Sequence, residues 1–395
     1  MKTSKRILAI GMITALLFAL CAGGAAAKTP ALRTEFIRLN DVEKSFAALQ
    51  PQGKKFAAPS SKGFPSDIIV VNSNHIQGIA RYGKYTVASV NGHESKTKLG
   101  YLFFFDDKKL LGSITTPAPV DGGSRSHPGG IQAAGKYLAV PFGDIVALYD
   151  LSPLLSGNMP TLLAELPGGG MGSGSIGLTL YADENGKEWL AFTDCDIQGV
   201  QLLDPAALPD AQPVHLRVDR SGMTGSEYLT GDWGVNNTAL VTDVNNVLYA
   251  LILSSRQSMG GKLAGQIGEE GLDYEDAMVL YKIEIDGTEA KVTGPVAEKT
   301  VAPFDSYLVA LGSHFRFTGT AQALDADNLA VFSSPSLPGN LALGIAGDEL
   351  VQLADFFAPP TFTINAYTSQ KTLPSLGSCF HRGLAWLLRL VGLVD

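Results

Sequence analysis

Two histidines stand in the same slot of a repeated phrase. His75 opens His75-Ile-Gln-Gly-Ile-Ala-Arg-Tyr-Gly-Lys-Tyr85, and 52 residues later His127 opens His127-Pro-Gly-Gly-Ile-Gln-Ala-Ala-Gly-Lys-Tyr137. An imidazole just ahead of a strand can contact a ligand, join a metal site, or tie down a loop carbonyl. Asn72 and Asn74 flank the first histidine; Asp121, Arg125 and Ser126 flank the second. In a ring of such units, equivalent slots in neighbouring copies converge on one end of the central channel. The third copy has Gly174 in the slot, so the ring of histidines is incomplete. Two imidazoles without a third ligand nearby do not make a zinc signature. Holding the leading loop is the plainest use of the pair. Ligand contact comes next, and a divalent ion such as calcium after that.

A second set is Asp194, Asp196, Asp232 and Trp233. Strand alternation predicts that Asp194 and Asp196 point one way and Cys195 the other. Such a carboxylate pair either ligates calcium or caps a strand end. Gly231-Asp-Trp-Gly234 falls where the first strand of a fourth unit begins, which directs Asp232 and Trp233 toward the channel mouth. His314 and Arg316 are later candidates for the same end. The expected ligand-contact set is therefore His75, His127, Asn74, Arg125, Asp232 and Trp233, with His75, His127 and Asp232 as candidate metal ligands. The chain has no Gly-x-Ser-x-Gly, His-Glu-x-x-His or Cys-x-x-Cys, so no nucleophile motif stands out. Gly172-Ser-Gly-Ser-Ile-Gly177 has the letters of a dinucleotide fingerprint, but that fingerprint needs a following helix. Here Leu178-Thr-Leu-Tyr181 and an Asp183-Glu-Asn-Gly186 turn follow, so Gly168–Gly177 reads as a supple loop. Asn236-Asn-Thr238 matches a glycosylation acceptor.

The elements that must position these residues are short strands separated by glycine turns. The first copy predicts strands at Gly78–Arg81, Tyr85–Val90, Tyr101–Phe105 and Leu110–Thr115. The second predicts them at Gly130–Ala134, Tyr137–Phe142, Ile145–Leu151 and Thr161–Leu166. A third unit is read at Gly177–Tyr181, Trp189–Thr193 and Val200–Leu203. A fourth includes Ala239–Thr242 and Met278–Ile285, with Asp286-Gly287 as a hairpin turn and Ser254–Glu275 as an inserted loop. Further strands fall at Leu329–Phe332, Leu341–Ile345 and Leu350–Ala354. Four antiparallel strands per unit make a blade. A period of about 51 residues over 66–360 gives about six units, within a range of five to seven. Residues 28–65 read as irregular. Ile68–Val71 is the expected closing strand, supplying the outer edge of the last blade. Residues 361–395 form a separate tail whose end, Cys379–Asp395, is apolar nearly all round and predicts a short helix. That helix docks on the ring, or else meets a partner or membrane.

Composition narrows the partners. Lys2, Lys5 and Arg6, the apolar run Ile7–Leu20 and Ala25-Ala-Ala27 read as a signal peptide over residues 1–27, which predicts a periplasmic or secreted protein. A lipid anchor on Cys21 is disfavoured by the bulky Leu20 before it. Without residues 1–27 the chain keeps 27 basic and 38 acidic side chains, a formal charge of −11. That disfavours nucleic acid and anionic membranes, and no transmembrane span is expected after signal removal. Cys195 and Cys379 would remain, and are expected as unpaired, partly buried thiols.

The blade pattern, the phrase Leu280-Tyr-Lys-Ile283 followed by Gly294-Pro295, and the signal peptide together resemble secreted bacterial β-propeller proteins, over roughly residues 66–360. The resemblance is at superfamily level. It implies an all-β propeller of four-stranded antiparallel blades and leaves function open, because propellers serve as binding scaffolds, lactonases, phytases and sugar-processing enzymes. The absence of a catalytic motif favours a non-catalytic protein that binds a small molecule or protein partner at the channel mouth. The alternative is a metal-dependent, lactonase-like hydrolase in which a divalent ion polarises a carbonyl and acidifies a water.

Overall fold

In the strand phrase Leu102-Phe-Phe-Phe105 all four side chains are fully buried, and they divide by alternation. Leu102 and Phe104 pack into one apolar cluster, Phe103 and Phe105 into another. A strand buried on both faces belongs to a sheet with neighbours on both sides. Each such side chain contributes about 1.5–3 kcal/mol through burial. This computed structural model describes residues 33–57, 76–92, 98–119, 124–142, 145–168, 174–257, 274–304, 313–316, 318–335 and 364–369.

The described chain starts with an extended segment, a short helix α1 (Val42–Ala47) and strand β1 (Lys54–Ala57). The first sheet follows: β2 (Ile76–Tyr82), β3 (Tyr85–Val90), β4 (Tyr101–Phe105) and β5 (Leu110–Thr115). The second comprises β6 (Gln132–Ala134), β7 (Tyr137–Pro141), β8 (Ile145–Asp150) and β9 (Thr161–Pro167). Both are antiparallel meanders paired in sequence order. Strands β10 (Ile176–Ala182), β11 (Glu188–Asp194), β12 (Val200–Leu203) and β13 (Val214–Met223) repeat the meander. So do β14 (Trp233–Thr242), β15 (Leu248–Gln257), β16 (Tyr274–Asp286) and β17 (Glu289–Val301). A parallel seam between the outer strands β13 and β17 joins these two meanders into one eight-stranded sheet. The last sheet holds β18 (Thr320–Asp325), β19 (Asn328–Ser333) and β20 (Ile364–Thr368), with β1 as its outer strand.

The first strands of successive meanders touch one another in the order β2, β6, β10, β14, β18, and β18 returns to β2. A closed circle of inner strands with meanders running outward is the arrangement of a β-propeller. Among the described residues, five apolar clusters sit between adjacent meanders.

The glycines shared by the two repeat copies have distinct jobs. Gly83 and Gly135 take φ of 55° in the turn between first and second strands, a conformation that side chains with a Cβ resist. Gly78 and Gly130 allow close approach between inner strands. A Cβ on Gly78 would lie 2.6 Å from Ile131 N, and one on Gly130 would collide with Asn237 Oδ1 and come within 2.7 Å of Ser175 Cβ.

Three expectations change. The segment expected to be irregular contains α1 and β1. The strand that completes the last sheet is β1, paired antiparallel with β20, while Ile68–Val71 lies outside the described residues. The proposed insertion is also shorter: β15 runs to Gln257 and β16 starts at Tyr274, so both ends of Ser254–Glu275 are ladder residues. Leu341–Ile345, Leu350–Ala354, the signal segment, Cys21, Cys379 and the apolar tail all lie outside the described residues.

Candidate functional site

Each inner strand has a leading end, where the chain enters it, and a turn end, where it passes to the second strand. The turn end is crossed by the N-terminal segment. Arg33 O accepts from Gly83 N (3.3 Å), and Phe36 lies against Gly135. Arg38 reaches Glu188 (3.2 Å), and Leu39 pairs with Thr242 and Val244 (3.0 and 2.9 Å). Asn40 meets Ala326 and Asp327 (2.6 and 2.9 Å). In eight residues the segment touches all five meanders in order. Beneath it lies a small cavity between Glu35, Phe36 and Ile37 and the ring residues Gln132, Thr242 and Gln322. It has room for about one water molecule.

The axis itself is filled by Gln132, which is 2 % exposed. Its Nε2 donates to Leu240 O (2.8 Å) and Ala321 O (3.0 Å), and its Oε1 accepts from Leu178 N and Leu240 N (both 2.7 Å). One amide from β6 thus joins β10, β14 and β18, with both donors and both acceptor positions in use.

The leading end is the other end of the ring. Asn237 on β14 and Ser175 just ahead of β10 are buried there on either side of Gly130. Asn237 Nδ2 donates to Phe315 O (3.0 Å), which orients the amide and points Oδ1 at Gly130. Among the described residues neither Asn237 Oδ1 nor Ser175 Oγ has a hydrogen-bond partner. The segment 313–316 packs beside them through Asp276. One carboxylate oxygen accepts from Ser255 Oγ (2.6 Å) and Phe315 N (3.2 Å), and the other meets His314 Nδ1 (2.9 Å). All three side chains are buried. Serine, aspartate and histidine are thus together, but the serine bonds the carboxylate and not the imidazole. Nucleophilic activation needs the imidazole on the serine, so the cluster anchors the 313–316 segment. Arg316 is exposed, with its guanidinium 3.3 Å from Asn236 Oδ1.

The residues singled out from sequence scatter around this end. His75 and Asn74 lie outside the described residues, as do Asn72 and Asp121. His127 is exposed in the segment leading to β6. Arg125 turns outward: it is buried against Glu165 of the outer strand β9 (2.8 Å) and Ala118 O (3.2 Å). Asp232 is exposed in a turn. Trp233 lies four residues before Asn237, roughly 13 Å along the strand at its usual rise. It packs edge-on against Tyr228 (5.2 Å) with the Arg256 guanidinium over its ring (4.9 Å). Among the described residues no three His, Cys, Asp or Glu side chains gather as a metal site.

Asp194 and Asp196 do not share a face. Asp194 ends β11 buried, with Oδ1 accepting from Gln198 N (2.8 Å), whereas Asp196 is exposed in the following turn. The strand stops at Asp194, so alternation does not extend across the pair. Cys195 sits half-buried beside Gly174. Burial, then Asp196 and Asp194, push its thiol pKa up to about 12. The glycosylation acceptor Asn236 lies within β14, and its Thr238 is buried.

Ser175 and Asn237 were not among the residues singled out from sequence. Ser175 stands just ahead of β10, next to the repeat's slot, whereas Asn237 lies inside β14 and had no such signal. No protein-family model and no curated protein matches the chain. Among solved structures it is similar to the α-L-arabinanase of Penicillium chrysogenum complexed with arabinobiose, at 12 % identity and a TM-score of 0.38, over 82 % of this chain and 99 % of that one. It is also similar to glutaminyl cyclase of Myxococcus xanthus, at 12 % identity and a TM-score of 0.32, over 80 % and 97 %. A protein of unknown function from Dyadobacter fermentans matches at 12 % identity and a TM-score of 0.27, over 81 % and 99 %. At these identities and TM-scores the likenesses carry neither a family nor a chemistry over to this chain.

Proposed function

We propose that this chain is an exported, five-bladed β-propeller that binds a small molecule or protein partner at the leading end of its ring. One observation carries the reading: the N-terminal segment crosses the turn end and Gln132 fills the axis, which leaves buried polar groups without partners only a leading-end approach. Export follows from the basic start, apolar run and Ala25-Ala-Ala27 of residues 1–27. The five-bladed reading follows from the circle of five inner strands.

The test is a thermal-shift screen of the mature protein against a metabolite library, repeated with His127→Ala and Arg316→Ala. Both side chains are exposed but make contacts of their own, so the ligand-free melting temperature of each variant is measured alongside and should fall by no more than a few degrees. Any hit should weaken in at least one variant. Hits that bind both variants as tightly as wild type would overturn the reading. Amino-terminal sequencing of secreted protein should find a start at or near Lys28.

A further inference from the structure

The cavity beneath the N-terminal segment brings together two unmet hydrogen-bonding needs. The Thr179 and Thr242 hydroxyls stand 2.8 Å apart on β10 and β14. Two hydroxyls that share one hydrogen bond keep a second hydrogen between them, and it calls for another acceptor. On the neighbouring β18, Gln322 Oε1 is buried and has no hydrogen-bond partner among the described residues. It is an acceptor that calls for a donor. All three residues line the cavity, which measures about 20 Å³. One water needs roughly 10–15 Å³ and two to four polar partners.

Nothing else that borders the space meets these needs. The Gln132 amide already has both donors and both acceptor positions in use. Between Arg33 and Arg38 the N-terminal segment makes no hydrogen bond to the ring among the described residues, so it roofs the cavity without serving either group. A cation would suit Gln322 Oε1 but cannot accept the spare hydroxyl hydrogen. It would also lack a counter-charge, because Glu35 is the only acid among the lining residues and is exposed. A buried cation without one carries a large desolvation cost. A water both accepts and donates. We infer that the cavity seats one structural water, accepting from the Thr179–Thr242 pair and donating to Gln322 Oε1. The water ties the third, fourth and fifth meanders together on the segment's side of Gln132, and the segment shields it from bulk solvent. The inference is independent of any binding at the leading end.

The test is a crystal structure of the mature protein at a resolution that shows ordered water, with a second crystal soaked in rubidium chloride. Wild type should show one water within hydrogen-bond reach of Gln322 Oε1 and of the Thr179 or Thr242 hydroxyl, and no anomalous peak from rubidium there. Gln322→Met keeps the side-chain length and removes the acceptor. It should expel the water from the crystal, and water oxygen-17 relaxation dispersion in solution should count one long-lived water fewer than in wild type. A cavity closed by Gln322 turning to a protein partner would overturn the inference, as would a rubidium peak in its place. So would a water that stays in Gln322→Met, or an unchanged count of long-lived waters. If Gln322→Met does not fold, the two wild-type crystals decide the matter alone.

Discussion

Gln132 occupies the place that Ala80 holds in the first repeat copy, and the difference between the two decides what the axis does. Ala80 is fully buried in the apolar cluster between the first two meanders; the glutamine amide ties three other meanders to its own. Gln132→Leu should keep the volume and lose four hydrogen bonds, leaving Leu178 N, Leu240 N, Leu240 O and Ala321 O without that partner. At about 1–3 kcal/mol for each buried group left unsatisfied, the expected loss is at least 3 kcal/mol, read as a lowered urea midpoint with unchanged slope. A loss under about 1 kcal/mol would mean that the axis relaxes around the substitution. Cys195 makes a second prediction at this scale. With its thiol pushed up to about 12, almost none is thiolate at pH 8, and the thiolate is the reactive form. In a Cys379→Ser background the folded mature protein should react with a thiol reagent at least tenfold more slowly than the same protein in denaturant. Equal rates would show an open, activated thiol.

Among the elements, α1 shows how a six-residue helix persists. Asp41 caps its start by accepting from Lys44 N (2.8 Å). At its end Lys299 of β17 donates to Phe46 O, Ala47 O and Leu49 O (3.1, 3.0 and 2.7 Å). Burial lowers the Lys299 pKa, because its ammonium has lost part of its water. Lys299→Met keeps most of the stem and removes the donors. It should cost about 1–3 kcal/mol, the range for hydrogen bonds to a charged group, measured by chemical denaturation, with Asp41→Ala costing about 1 kcal/mol. The element scale is also where sequence reading succeeded and where it failed. Tyr85–Val90, Tyr101–Phe105, Leu110–Thr115 and Val200–Leu203 stand where alternation and glycine turns place them, because those signals are local. β1 was not legible. Lys54-Lys-Phe-Ala57 has no strand pattern of its own, and its partner β20 lies some three hundred residues away in the chain. The β13–β17 seam was hidden for the same reason. Of the candidate site, the repeated slot drew attention to residues ahead of the inner strands, whereas Ser175 and Asn237 beside Gly130 were not legible. Ser175 and Asn237 gain meaning only when the ring brings them to Gly130.

For the whole molecule, closure depends on residues that precede the first repeat. β1 supplies the outer strand of the last sheet, and the segment before α1 touches every meander in turn. Leu39, Val42, Phe46 and Leu49 add four fully buried side chains to the cluster between the fourth and fifth meanders. At about 1.5–3 kcal/mol each, their burial is comparable with the 5–15 kcal/mol by which domains are usually stable. A chain starting at residue 33 should therefore melt like one starting at Lys28. A chain starting at residue 58 should lose those side chains, expose the edge of β20 and open the turn end. Exposed edges invite pairing with other chains, so the shorter protein should elute as oligomers and lose its cooperative melt. Size-exclusion chromatography and thermal denaturation of the three proteins decide the matter. A monomeric, cooperatively melting chain from residue 58 would show that the ring closes without its N-terminal clasp. Supplying residues 33–57 as a peptide should restore monomers, because the segment's hold on the ring is non-covalent at every contact seen here.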